Sequence, residues 1–261
     1  MIGIFDSGIG GLTTVRALMD TMPGYDIIYY GDTARTPYGT KSRQTVIGYA
    51  LENTEFLLQK GAKIIVIACN TASSHAVDEI KKRYDVPIFE VITPAVHAAI
   101  KASKTGKIGV IGTRATISSR IYEQKIMELK PDAKVYSEPC PLLVSLVEEG
   151  WTKRPETTMI VKKYLQPLKT KQIDTLILGC THYPLLKDTI SKKIGGQTAI
   201  IDSGSAVSGA ISSFLSENRE LAESLPQNGK IDFYVSDVTE QFEKTAGAIV
   251  KKQIKLICVK K

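Results

Sequence analysis

Two stretches of this chain follow one pattern. Ile64-Ile65-Val66-Ile67-Ala68-Cys69-Asn70-Thr71-Ala72-Ser73 and Thr175-Leu176-Ile177-Leu178-Gly179-Cys180-Thr181-His182-Tyr183-Pro184 each carry an unbroken apolar run into a cysteine, then into small hydroxyl-bearing residues. Short apolar runs without alternation mark strands buried on both faces, as in parallel sheets covered by helices. The residues after each cysteine suit a loop and a helix start. In open α/β sheets ligands bind in the crevice beyond the carboxyl ends of the strands, so both thiols are expected where a ligand sits. A single cysteine there is ordinarily a small core residue. Two in matching contexts point to a paired role.

The doubling extends beyond the cysteines. Lys107-Ile108-Gly109-Val110-Ile111-Gly112-Thr113 repeats the pattern of Met1-Ile2-Gly3-Ile4-Phe5-Asp6-Ser7, with Ile108 lying 106 positions after Ile2 and Cys180 lying 111 after Cys69. Nearly equal offsets predict two related α/β halves. Further strand patterns fall at residues 27–30, 87–91, 133–136, 198–201, 231–235 and 254–259. Helices are expected over 12–20, 41–59, 73–84, 159–168, 184–193, 206–214 and 239–250. Another apolar helix should follow Cys140, and one should open at Ile92-Thr93-Pro94 with Thr93 as cap and Pro94 in the first turn. The polar stretch 216–230 reads as a surface excursion. The closing elements complete an existing sheet more easily than they build a third domain. The expected fold is therefore α/β, with two pseudo-symmetric doubly wound domains, mainly parallel sheets and the active site at the domain interface. Residues 1–92 plus 207–261 would form the first, discontinuous domain, and residues 93–206 the second.

Bulk properties narrow the classes of partner. With 261 residues, 43% of them hydrophobic, the chain can bury one large or two modest cores. Met1-Ile2-Gly3-Ile4-Phe5 runs directly into a strand pattern rather than a basic and apolar leader, and no apolar run approaches the ~18–20 residues of a membrane helix. A cytoplasmic location with no membrane partner is expected. The net charge of +7 is spread over lysine pairs at 81 and 82, 162 and 163, 192 and 193, 251 and 252, and 260 and 261. Scattered pairs without interleaved aromatics describe a solvated surface, so no nucleic-acid partner is expected. The four cysteines, at 69, 140, 180 and 258, lack the close spacing of a zinc ribbon or redox pair, and free thiols are expected.

Several loops carry candidate chemistry. Asp6-Ser7-Gly8-Ile9-Gly10-Gly11 lets backbone approach a ligand at a helix start, but it matches neither phosphate-binding glycine motif. Asp6 would repel a phosphate, so a ligand with a positive group beside an anionic one suits the loop better. Gly31 to Thr40 is long for a connection and reads as a binding loop, stiffened by Pro37 and with approachable donors at Gly39. On the helix after Cys140, Glu148 follows Val144 by one turn and shares its face. The thiolate is the reactive form of cysteine, and a pKa of ~8.5 falls at a helix start, so a lowered pKa is expected at Cys69 and Cys180. Thiols approaching one ligand from opposite sides could take a proton from one face of a carbon and return one to the other, inverting it. Asp6 beside Cys69, and Glu148 with His182 beside Cys180, would then handle the thiol protons.

Taken together, Asp6-Ser7-Gly8-Ile9-Gly10-Gly11, Pro37-Tyr38-Gly39, Ala68-Cys69-Asn70-Thr71-Ala72-Ser73, Leu146-Val147-Glu148-Glu149-Gly150 and Gly179-Cys180-Thr181-His182-Tyr183-Pro184 resemble the glutamate racemases of the aspartate/glutamate racemase family, in order and over nearly the whole chain. The resemblance implies a cofactor-independent, metal-free enzyme that interconverts L- and D-glutamate and supplies D-glutamate for peptidoglycan, working as a homodimer. By that pattern Cys69 takes the α-proton of D-glutamate and Cys180 that of L-glutamate. Asp6 and Ser7 match positions meeting the substrate amino group, and Tyr38 and Gly39 those meeting the side-chain carboxylate. Asn70, Thr71, Thr113 and Thr181, with Thr116 as a weaker addition, match groups around the α-carboxylate, and His182 and Glu148 match auxiliary acid/base positions. Three other readings compete: racemisation of aspartate or another amino acid, a zinc protein using Cys69, Cys180 and His182, and a non-catalytic module binding an acidic metabolite.

Overall fold

The unbroken apolar runs become parallel strands. In chain order they are β1 (Ile2–Asp6), β2 (Ile27–Gly31), β3 (Ile64–Ile67), β4 (Ile88–Glu90), β5 (Lys107–Gly112), β6 (Lys134–Pro139), β7 (Thr175–Gly179), β8 (Ala199–Asp202), β9 (Ile231–Val235) and β10 (Leu256–Cys258). The computed structural model describes residues 1–259; the last lysine pair, Lys260 and Lys261, lies outside the described residues. Every residue of β1, β3 and β7 is buried, which requires cover on both sheet faces.

Two sheets result, one ordered β10-β9-β2-β1-β3-β4 and the other β6-β5-β7-β8, and every pairing is parallel. The order β2-β1-β3-β4 recurs as β6-β5-β7-β8, which is the physical content of the sequence repeat. After β8 the chain returns to the first sheet, where β9 pairs with β2 through Ile27↔Ile231 and Tyr29↔Phe233. In each sheet the connections reverse direction between β1 and β3, or between β5 and β7. Such switch points open a crevice at the carboxyl ends of the strands.

Three buried clusters fill the layers. The central one joins both sheets: Ile2, Ile4 and Val66 on one side and Ile108, Val110 and Ile177 on the other pack around the helices Leu12–Thr21, Ile92–Ala102 and Ser203–Glu217. The outer face of the larger sheet is covered by the helix Arg43–Gln59 through Val46, Ala50 and Leu57, and that of the smaller sheet by Pro155–Thr170 through Val161, Leu165 and Leu168.

Local structure departs from the sequence expectation in five places. The helix expected over 73–84 is two, Asn70–Ser73 and Val77–Arg83, because the first begins immediately after Cys69, which caps it. Thr93 is not the cap of its helix; the Glu90 carboxylate accepts from Ile92 N at 2.6 Å and Thr93 N at 2.9 Å, a capping role open to a charged side chain at the strand end. The stretch 184–193 opens as a 3-10 turn, Tyr183–Leu186, before the helix Lys187–Ile194. The excursion 216–230 contains the helix Arg219–Ser224, and the last strand is confined to Leu256–Cys258.

Candidate active site

The segments leaving β1, β3, β5 and β7 meet at the two switch points. Ser7, Pro37, Tyr38, Gly39, Cys69, Asn70, Thr71, Thr113, Val144, Cys180, Thr181 and His182 line a small cavity. Cys69 and Cys180, one from each sheet, are thus on the wall of one cavity, 4% and 5% exposed. All four cysteines are free thiols, and Cys140 and Cys258 do not line this cavity. Burial, then the Glu138 charge, push the Cys140 thiol up.

On the first wall Cys69 follows β3 and caps the helix Asn70–Ser73, its Sγ accepting from Ala72 N at 3.5 Å. The thiol is not lowered as expected from a helix start. Burial, then the neighbouring Asp6 charge, push it up to about 12 against the Ala72 N–H and the Ser7 hydroxyl. A four-residue helix supplies too little dipole to offset that desolvation. Asp6 is fully buried and lies behind the cavity wall: Oδ2 accepts from Gly8 N at 3.1 Å and Gly11 N at 3.0 Å, and Oδ1 accepts from Thr181 Oγ1 at 3.2 Å. Burial raises its carboxyl, opposed by His182 and these donors. Asp6 therefore shapes the glycine loop and ties it to the opposite wall.

On the second wall Cys180 directly follows β7, and its Sγ lies 3.7 Å from His182 Nδ1. His182 Nε2 lies 3.2 Å from Glu148 Oε1. Burial works against charge on this imidazole, yet its hydrogen bonds to Cys180 and Glu148 hold it up to about 10. These contacts favour the protonated form of His182, between a sulfur and a carboxylate. Glu148 itself does not line the cavity; it stands behind His182 on the face of the helix Leu142–Glu148 that presents Val144 to the site.

Hydroxyls and amides fill the rim. Thr71, Thr113 and Thr116 form a triangle, with Oγ1 separations of 3.0 Å for Thr71 to Thr113, 3.3 Å for Thr71 to Thr116 and 3.0 Å for Thr113 to Thr116. Thr113 caps the helix Arg114–Ser118, and Thr116 supports the other two without lining the cavity. Asn70 bridges the sheets: its Oδ1 accepts from the Tyr122 hydroxyl at 2.6 Å, and its Nδ2 donates to Ser203 Oγ at 3.3 Å. Tyr38 lines the cavity but turns its hydroxyl to Asp32. A Cβ on Gly39 would lie 2.6 Å from Thr113 Cβ, so only glycine lets this loop approach the threonines. Sequence reasoning did not select Val144 or Pro37 as lining residues; the Val144-to-Glu148 spacing was the available signal for one. Among the described residues no group of three His, Cys, Asp or Glu side chains is placed to hold a metal ion.

Fold and site together define a doubled α/β protein of the racemase class. The model of the Asp/Glu/Hydantoin racemase family matches residues 13–210, and the chain belongs to that family. It is 47% identical to a glutamate racemase of Persephonella marina over 98% of this chain and 95% of the relative. Among solved structures, a glutamate racemase isoform of Bacillus anthracis superposes with a TM-score of 0.93 at 39% identity, covering 99% of this chain and 97% of that one. The Francisella tularensis glutamate racemase, solved in complex with D-glutamate, gives 0.91 at 40% identity, with coverage of 99% and 96%.

Proposed function

We propose that this chain interconverts L- and D-glutamate by carrying the α-proton between two thiols on opposite faces of the substrate. The activity itself follows from kinship, because relatives sharing 42% to 50% of residues across most of the chain are glutamate racemases. The two-base route is carried by one observation, that Cys69 and Cys180 follow matching strands and line the same cavity.

The two thiols have unlike surroundings. Cys69, pushed up to about 12 by burial and Asp6, begins as the proton donor. Cys180 faces the His182 imidazolium, which holds a positive charge opposite its sulfur and can carry its proton. On the family pattern Cys180 would be the first base toward L-glutamate and Cys69 the acid that completes inversion, with roles exchanged for D-glutamate. Negative charge developing around the α-carbon would be met by Asn70, Thr71, Thr113 and Thr181, with Thr116 behind them, donors fixed before substrate arrives. Ser7, with Asp6 behind it, would take the amino group, and Tyr38 and Gly39 the side-chain carboxylate. No step requires a cofactor or a metal. The domain limits 1–92 plus 207–261 and 93–206, a homodimer, a cytoplasmic location, the absence of a nucleic-acid partner and supply of D-glutamate to the cell wall complete the proposal. No helix among the described residues is long and apolar enough to cross a membrane.

Single replacements in deuterated water test the route. Cys69→Ala and Cys180→Ala should each lose racemisation by about 10³-fold or more, the scale of removing an acid or base. Cys69→Ala should still exchange the α-hydrogen of L-glutamate with retention, and Cys180→Ala that of D-glutamate. Retention of racemisation by either variant would sink the two-base reading. A wild-type protein that binds glutamate and exchanges nothing would be a binding module, and one that turns over D-aspartate faster than D-glutamate would fit the aspartate alternative.

A further inference from the structure

The loop that meets the substrate side chain is held from below by a buried charge network, and its hub is a residue that never reaches the cavity. Asp32 follows β2 and is fully buried. Its Oδ2 accepts from the Tyr38 hydroxyl and from Arg35 Nε at 2.7 Å, and its Oδ1 accepts from Ser236 Oγ at 3.1 Å. The Tyr38 hydroxyl in turn accepts from Asn53 Nδ2 at 3.0 Å. Burial, then the Asp32 charge, keep the phenol proton on Tyr38, which fixes it as the donor. Arg35 is clamped by Glu52 at 2.6 Å and Asn53 Oδ1 at 3.2 Å and stacks over the Tyr49 ring, 3.9 Å from its centroid. Asp32 also reaches the other recognition loop, because its N–H donates to the Asp6 carbonyl at 3.0 Å.

One residue thus bonds through its backbone to the Asp6–Ser7 segment and through its side chain to the Tyr38–Gly39 segment. Those segments are the two ends of the site, and the distance between them has to match the reach of the ligand. Resting on the reading that Ser7 meets the amino group and Gly39 the side-chain carboxylate, we propose that Asp32 is a positioning residue that sets this spacing and with it the selectivity for a five-carbon over a four-carbon acidic amino acid. Gly39 has no slack, since it already abuts Thr113. Loosening Tyr38 therefore displaces the backbone donors rather than letting them adapt. The grip on the remote carboxylate is taken as uniform binding, made equally in ground and transition states, whose loss raises KM with kcat unchanged.

Tyr38→Phe, which keeps the ring and removes only the hydroxyl, and Asp32→Asn should each raise KM for both enantiomers of glutamate about tenfold while kcat stays within about threefold. The ratio of the aspartate inhibition constant to the glutamate KM should shrink in both variants. The double variant should cost no more than the worse single one, because the two act through one hydrogen bond. Tyr38→Phe that folds with wild-type KM and an unchanged ratio, or that loses kcat at constant KM, would overturn the assignment. Wild-type protein that exchanges no α-hydrogen of glutamate would overturn the underlying reading instead, and this one with it.

Discussion

A proton on His182 faces two partners, the Cys180 sulfur at 3.7 Å and the Glu148 carboxylate at 3.2 Å. With its pKa held up to about 10 against an ordinary 6.5, the imidazolium contributes stability in full below about 6.5, and that contribution is lost as pH rises through about 10. The midpoint of thermal unfolding should therefore fall across this window, with Cys69 adding to the fall above its ordinary 9.0 because its own value is raised as well. Glu148→Gln removes one of the two groups that hold the proton, so its curve should be flatter between the same limits. Parallel curves for the variant and wild type, followed by circular dichroism, would remove Glu148 from this role. Kinetically, kcat/KM should have an alkaline limb near about 10 that disappears in His182→Asn, with kcat lower by about 10²-fold.

Glycines mark where elements press together. A Cβ on Gly10, in the loop between β1 and the helix Leu12–Thr21, would lie 2.3 Å from Thr181 Oγ1 and 2.6 Å from His182 Nδ1. One on Gly3 within β1 would lie 2.7 Å from Ala62 Cβ, far from the cavity. Both Gly→Ala changes should cost about 1–3 kcal/mol in urea unfolding, as overpacking does. Only Gly10→Ala should also lower the rate per folded molecule; equal effects on both would dissociate the loop from the site. The strands and both cysteines were legible in sequence because a buried parallel strand leaves an unbroken apolar run. The Glu90 cap and the Cys69 cap were not, since a cap is decided by where a side chain lands after the sheet has formed. Tyr38 shows the same limit: its place in the binding loop was readable, but the burial of its hydroxyl on Asp32 depends on Asn53 and Ser236, which are distant in sequence.

The central cluster runs without a break from Ile2 and Val66 to Ile108 and Ile177, and the helix Ser203–Glu217 packs Val207 and Ile211 into it. Halves that share a core should unfold together, and calorimetry should give one transition whose van't Hoff and calorimetric enthalpies agree. Ile211→Ala should lower stability by about 2–5 kcal/mol without splitting that transition; two resolved peaks would mean the halves are energetically separate. The doubling into two related halves was legible from the near-equal offsets of its landmarks, whereas the fusion of two cores into one was not, because a helix that serves two sheets has the same apolar face as one that serves a single sheet. The walls of the cavity are nevertheless unlike, with an imidazolium and carboxylate behind one sulfur and a buried aspartate loop behind the other. Mirror-image amino acids have equal free energies in water, so this lopsidedness cannot bias where the reaction comes to rest. It can only decide which half of each turnover is slow, and starting from opposite enantiomers the enzyme should climb its barriers in opposite order toward the same one-to-one mixture.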